Sequence, residues 1–332
     1  MYRFALPLSA LVLAVATAPA RADEMLKVAD LQTGVVTTLA SGTTAWSSLA
    51  WHADGSLTAT ASGRLVYAYP PGVTPLARLR QVTDAQLSPA GDRVVAESRS
   101  GRLVIRGLDG RLIGARRIRG QLTSIVWSRD GRRLAAGWFD HRLRDHITLL
   151  GRRGFALRTV SAPGEVAFSS AAWAPDGHSL AYRARPGRDR PAQIRRLDAV
   201  TGAQTVLLRG DRCSPPPLGV CELLEPPVVA PDGVHVALVR DLNWVTVLAP
   251  GARPQAFRIT RQRDGVLDAA WTPDGSALVV AYAQGDDAHL AVAPLSGARH
   301  TVADLGHMDV HGLTVSADGS HAALAGTDDI DF

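Results

Sequence analysis

Five side chains have the types and spacing to hold a metal ion. His307-x-Asp309-x-His311 sets three ligands at alternate positions, and on a strand all three share one face. His141 and His146 fall in another loop, predicted on the same side of the molecule. Together they could bind a divalent metal, as a lyase or hydrolase acting on a carbohydrate or lactone would require. The competing reading is that these are ordinary polar loop residues, since no spacing comparable to HExxH is present. Asp286-Asp287 and Asp328-Asp329-Ile330-Asp331 are acidic, but the Asp-x-Asp-x-Asp-Gly calcium loop is absent. There is no P-loop, nucleotide-binding glycine loop or kinase motif. No cofactor is expected beyond that conceivable metal.

A second set of residues suits recognition rather than catalysis. Trp46, Trp138, Arg142, Arg144, Arg188, Arg190, Arg212 and Arg263 lie in or near irregular segments. Arginine and tryptophan supply planar, hydrogen-bonding contact area at protein interfaces. Any one of these charges could equally be a solvated loop tip. The two cysteines, Cys213 and Cys221, are eight positions apart in a Pro-rich stretch. In an exported chain they are expected to close a small loop disulfide. A metal pair or redox site is the alternative, but there is no CxxC and no His between or beside them.

Export is read from the N-terminus. Met1-Tyr2-Arg3 is a short basic region, Phe4 to Ala18 is apolar, and Ala20-Arg21-Ala22 offers small residues at a cleavage site. The predicted leader is 1–22, with the mature chain beginning at Asp23. The apolar run is short for a membrane span, which needs about 20 residues. The expected location is therefore the bacterial periplasm or the outside of the cell, with no span after cleavage. The whole chain of 332 residues has net charge +5, and cleavage removes two arginines and no carboxylate. Hydrophobic residues make up 46% and charged residues 20%, which excludes a disordered chain and a coiled coil. No run of five like charges and no basic helix occurs, so nucleic acid is not expected as a partner.

A repeat organises all of these residues. One phrase recurs seven times, as Trp51-His52-Ala53-Asp54-Gly55, Leu87-Ser88-Pro89-Ala90-Gly91, Trp127-Ser128-Arg129-Asp130-Gly131, Trp173-Ala174-Pro175-Asp176-Gly177, Val229-Ala230-Pro231-Asp232-Gly233, Trp271-Thr272-Pro273-Asp274-Gly275 and Val315-Ser316-Ala317-Asp318-Gly319. An apolar residue ends a strand; Pro, Asp and Gly then suit a tight turn, and an apolar β-prone strand follows. A second phrase, strand–turn–Gly–strand, follows most copies, as in Leu103 to Gly110 and Ile194 to Gly202. Each unit therefore reads as four short antiparallel strands, the blade of a propeller. The Gly-to-Gly spacings are 36, 40, 46, 56, 42 and 44, and the long one contains the insert 210–227 with its two cysteines.

The ends predict closure. After Asp318-Gly319 only one strand remains, and Met25 to Leu39 supplies the two strands a last blade would lack. Pairing them makes a single all-β domain over 23–332, a seven-bladed β-propeller with no open edge. On such a disc the Pro-Asp-Gly turns share one face. The irregular second-to-third loops and crossovers share the other, which is the expected binding face.

The repeat resembles the bacterial WD40-like, PD40-type repeat (Trp-Ser-Pro-Asp-Gly) of the TolB-like periplasmic propellers. Trp stands in four copies; Leu87, Val229 and Val315 replace it in three. The resemblance implies a non-catalytic propeller, expected as a monomer, that binds an envelope or secreted protein. A metal-dependent lyase or hydrolase, and a sugar- or small-ligand-binding propeller, are the alternatives, because fold does not dictate function.

Overall fold

The computed structural model describes residues 23–328 apart from 53, 62–63, 70–71, 76–81, 99–100, 143, 162–170, 185–190, 211–226, 241–242, 250, 261–264 and 297. The predicted leader 1–22, the Cys213/Cys221 pair and the tail 329–332 fall outside them.

The described strands assemble into seven four-stranded antiparallel sheets, and no helix occurs among the described residues. In blades one to six the strands run in chain order from the axis outward. Blade three, for example, is built of Gln121–Trp127, Arg133–Phe139, Asp145–Gly151 and Ala156–Ser161. The second strands are apolar at almost every position because neighbouring blades cover both of their faces. Leu57–Ala61 is buried throughout, and Ala277–Gln284 is buried at every position but the last. Alanines on these strands, such as Ala59, Ala136, Ala281 and Ala323, let the sheets approach closely.

Blade seven is assembled from both ends of the chain. Its order from the axis is Asp309–Val315, His321–Thr327, Glu24–Asp30, Val36–Gly42. Glu24–Asp30 pairs with His321–Thr327 over seven consecutive positions without a bulge, from Glu24↔Thr327 to Asp30↔His321. Leu31 N–H to Ser320 O (2.8 Å) and Asp328 N–H to Asp23 O (2.9 Å) extend the joint at either end. The seven-blade count and the closure expected from the ends are both present.

One regularity was not readable from the repeat. In blades one, two, three, six and seven the inner strand shifts register near its start, as between Leu122 and Ser124 and between Val266 and Asp268. A bulge there bends the strand as it enters the axis.

Closure generates a stability prediction. Leu324 is fully buried in the joint sheet, so Leu324→Ala should cost about 2–5 kcal/mol in urea unfolding. Removing residues 23–42 should replace the single cooperative transition by a broad one, read by circular dichroism, because the ring then ends in a two-stranded sheet.

Candidate functional site

The inner strands surround an axial cavity of about 720 Å³ that extends to the Pro-Asp-Gly turns. Its walls are apolar, with Leu49, Leu87, Val126, Val229 and Leu313 among them, and its polar members are few, notably His52, Arg129 and Asp268. His52 is buried, with Nε2 2.9 Å from Thr58 Oγ1. Burial pushes its pKa below the usual histidine value, so it faces the cavity uncharged at neutral pH.

The mouth is rigid because successive turns interlock. Gly233 has φ +70° and its missing Cβ would lie 3.2 Å from Pro175 Cδ of the preceding blade. Gly319 has φ +75° and stands in the same relation to Pro273, at 3.3 Å. Glycine is needed at these sites both for the backbone conformation and for the space. In blades two, four, five and six the third position of the phrase is a proline, Pro89, Pro175, Pro231 or Pro273, that packs on the next turn, while blades one and seven have Ala53 and Ala317. Blade three departs from this, because Arg129 takes the proline's place and Gly177 meets the Asp130 carboxylate instead. Arg129 is exposed and lines the cavity, and it is the one cation at that position in seven copies. Reading the phrase by its exceptions would have found it.

The repeat tryptophans tie each blade to the one before. Trp51 Nε1–H donates to Thr314 O (3.3 Å), Trp127 to Gln86 O (3.4 Å), Trp173 to Val126 O (3.1 Å) and Trp271 to Val228 O (3.1 Å). Each acceptor is an inner-strand carbonyl of the preceding blade. These four indoles also line the cavity.

The turn aspartates act as local acceptors. Asp318 accepts from Ser316 Oγ (2.6 Å), Ser320 N (3.0 Å) and Ser320 Oγ (2.8 Å). Asp274 accepts from Thr272 Oγ1 (2.6 Å) and from Ser276 N and Oγ. The hydroxyl of Ser316 chiefly, then the amide and hydroxyl of Ser320, hold Asp318 well below the ordinary carboxylate range. Thr272 and then Ser276 bring Asp274 down to about 2.

On the opposite face the structure relocates several sequence candidates. Trp46 and Trp138, expected as loop contacts, are core residues. Trp46 is buried among Leu26, Leu57 and Ala59 between blades seven and one. Trp138 is 8% exposed, donates Nε1–H to Thr148 Oγ1 (2.9 Å) and stacks on His146 with ring centroids 4.2 Å apart. The strand alternation that buries Leu134 and Ala136 also draws Trp138 inward. Trp244, outside the nominated set, is the exposed tryptophan, at the second-to-third loop of blade five.

Blade three's loop is built around Asp140. Its carboxylate accepts from the amides of Arg142 (2.8 Å) and Arg144 (3.0 Å) and from Arg144 Nε and Nη2 (3.0 and 2.8 Å), with His146 Nε2 at 3.3 Å. Burial opposes ionisation of Asp140, but these donors outweigh it and leave its pKa far below the usual value. Arg144 is thus engaged in holding its own loop, while the Arg142 side chain and His141 are exposed at the tip. Arg188, Arg190, Arg212 and Arg263 lie outside the described residues.

The metal candidates have separate partners. His307 Nδ1 is 2.7 Å from Asp286 O, His311 Nε2 is 3.3 Å from Glu24 Oε2, and Asp309 sits in strand register with Thr327. His146 is committed to Asp140 and Trp138. Among the described residues no three His, Cys, Asp or Glu side chains come together as a metal site.

Seven radial sheets, an axial cavity and turns interlocked around its mouth define a β-propeller. The chain is similar in structure to one assigned as TolB from Agrobacterium tumefaciens, at 17% identity over 93% of this chain and 100% of that chain, with TM-score 0.57. It is also similar to the Myceliophteria thermophila Cps50 (Swd1) β-propeller domain, at 19% identity over 74% and 80% of the two chains, with TM-score 0.55. At such identities the likeness is one of fold. No protein-family model matches the chain, and no curated protein matches it. No helix among the described residues is long and apolar enough to cross a membrane.

Two outcomes follow from this geometry. Trp271→Ala should destabilise by about 3–5 kcal/mol, and Trp271→Phe, which keeps a ring but loses the N–H, by roughly 1–2 kcal/mol, both read from chemical unfolding. The turn carboxylates Asp274 and Asp318 titrate lower in the folded chain than in the unfolded one. Their stabilisation is therefore complete above about pH 5 and is lost as pH falls from about 4 toward 2. The urea midpoint should decline over that window, and Asp274→Asn should make the decline shallower.

Proposed function

We propose that this chain is an exported, non-catalytic β-propeller that binds a protein of the cell envelope or the secreted pool. A segment of that partner enters the axial cavity from the Pro-Asp-Gly side. The cavity itself carries this reading. It is large enough for a peptide segment, its mouth is preorganised by proline rings seated on neighbouring glycines, and it presents one guanidinium, Arg129, at the rim. A rigid receptor loses little entropy on binding, so modest contacts suffice. The recurring Asp and Trp side chains are engaged in turns and inter-blade bonds, which supports a scaffold rather than a reaction centre. The leader-like Met1 to Ala22 supports export.

Ala270 lines the cavity on the inner strand of blade six. Ala270→Trp would fill part of it, and Arg129→Glu would reverse the charge at its mouth. In side-by-side pull-downs from envelope extract, each variant should recover the specific partner about tenfold less than wild type while melting as a folded protein. Recovery equal to wild type from both variants, with the fold intact, would overturn the cavity as the binding site.

A further inference from the structure

The arginines of this chain are concentrated in one sector. Residues 93–158 hold sixteen arginines, no lysine and five carboxylates, a formal +11 in a chain whose total is +5. The remainder therefore carries −6. That window lies within blades two and three, which over residues 82–161 also contain Asp84 and Asp92 and so carry a formal +9 against −4 for the rest of the chain; the disc has a basic arc and an acidic remainder. No run of like charge announces this, because the arginines are dispersed along successive strands and turns.

Exposed apolar side chains gather on the same arc. Phe155 is 73% exposed, Leu157 58%, Leu112 51% and Leu108 40%. All four lie in or beside the third-to-outer turns of blades two and three, on the Pro-Asp-Gly face. The two turns are packed together, since a Cβ on Gly114 would overlap the Arg153 carbonyl and one on Gly154 would lie 3.3 Å from Ile105 Cδ1. Arg111, Arg132, Arg152 and Arg153 are exposed around them.

The arc is continuous with the cavity mouth. Asp92 follows the turn that carries Pro89, and it pairs with Arg152 Nη2 at 3.1 Å. Arg93 Nη1 reaches Arg152 O at 3.2 Å. Arg129, at the mouth, belongs to the neighbouring turn. A path of arginines and apolar side chains thus runs from the rim of blades two and three to the axis.

We propose that this path docks an acidic protein segment bearing large apolar side chains. The inference rests on the protein-binding reading above and names the chemistry of the partner. Arginine's planar fork suits carboxylates, and exposed Phe and Leu beside it match the composition of interface cores. A flat anionic bilayer fits less well. Around the other blades the same face carries the turn carboxylates Asp54, Asp176, Asp232, Asp274 and Asp318, which such a bilayer would also meet.

The test uses the full mature chain and a dye-labelled twelve-residue peptide of alternating Glu and Leu, followed by fluorescence anisotropy. Its Lys–Leu and Glu–Ser counterparts and phosphatidylglycerol vesicles are run in parallel. The Glu–Leu peptide should bind about tenfold or more tightly than either counterpart, and salt should weaken it as exposed charges are screened. The triple substitution Arg111→Glu, Arg153→Glu, Phe155→Ser alters exposed side chains only and should weaken binding at least tenfold with an unchanged melting curve. Arg253→Glu, in the corresponding turn of blade five, should leave it unaltered. Binding that survives the triple substitution, preference for the Lys–Leu peptide, adsorption to vesicles instead of peptide, or self-association that the substitution abolishes would each overturn the inference. If Ala270→Trp abolishes partner recovery while the triple variant recovers the partner as wild type does, the arc fails and the cavity reading stands.

Discussion

The pairing of Glu24–Asp30 with His321–Thr327 is the constraint on which the rest depends. An open arc of seven sheets would expose the apolar faces of two terminal blades and the edges of two incomplete ones. Joining the ends removes all of these at once. Closure also sets the geometry at the axis. With the circle shut, the inner strands cannot splay, and the distance across the cavity is determined by how closely neighbouring blades stack. That distance is governed by small residues on the second strands and by the indole bonds from one inner strand to the next.

The recurring phrase is accordingly a device for stacking blades. Its tryptophan reaches back to a carbonyl, its aspartate gathers local donors, and its proline receives the next glycine. Seven copies make the fold legible, and for the same reason they say little about function. What distinguishes one blade from the next sits where the phrase breaks. Arg129 in place of proline is one such break, and it puts a charge at the mouth without harm to the turn.

The two faces of the disc differ in how their described side chains are engaged. The second-to-third loop of blade three draws Trp138, His146, Asp140 and Arg144 into one network, so residues that look like free contacts are holding their own loop in shape. The regular turns on the other side carry the exposed Phe155, Leu157, Leu112 and Leu108 and one half of a strong charge asymmetry. Turn tips are short and solvent-facing, so an apolar residue there has no neighbour to cover it. A loop long enough to fold back can satisfy its own polar groups.

Local chemistry was enough to read off the strands, the turns, the blade count and the joining of the ends. Each rests on contacts between residues close in sequence, or on a repeat that must be completed. Candidate contacts and ligands were another matter. Whether Trp46 faces solvent or core, and whether His307 and His141 meet, depends on how blades distant in the chain lie around an axis. No periodicity encodes that. Only the packed blades decide which of these side chains are covered, which turn tips touch, and that among the described residues no three metal-binding side chains converge.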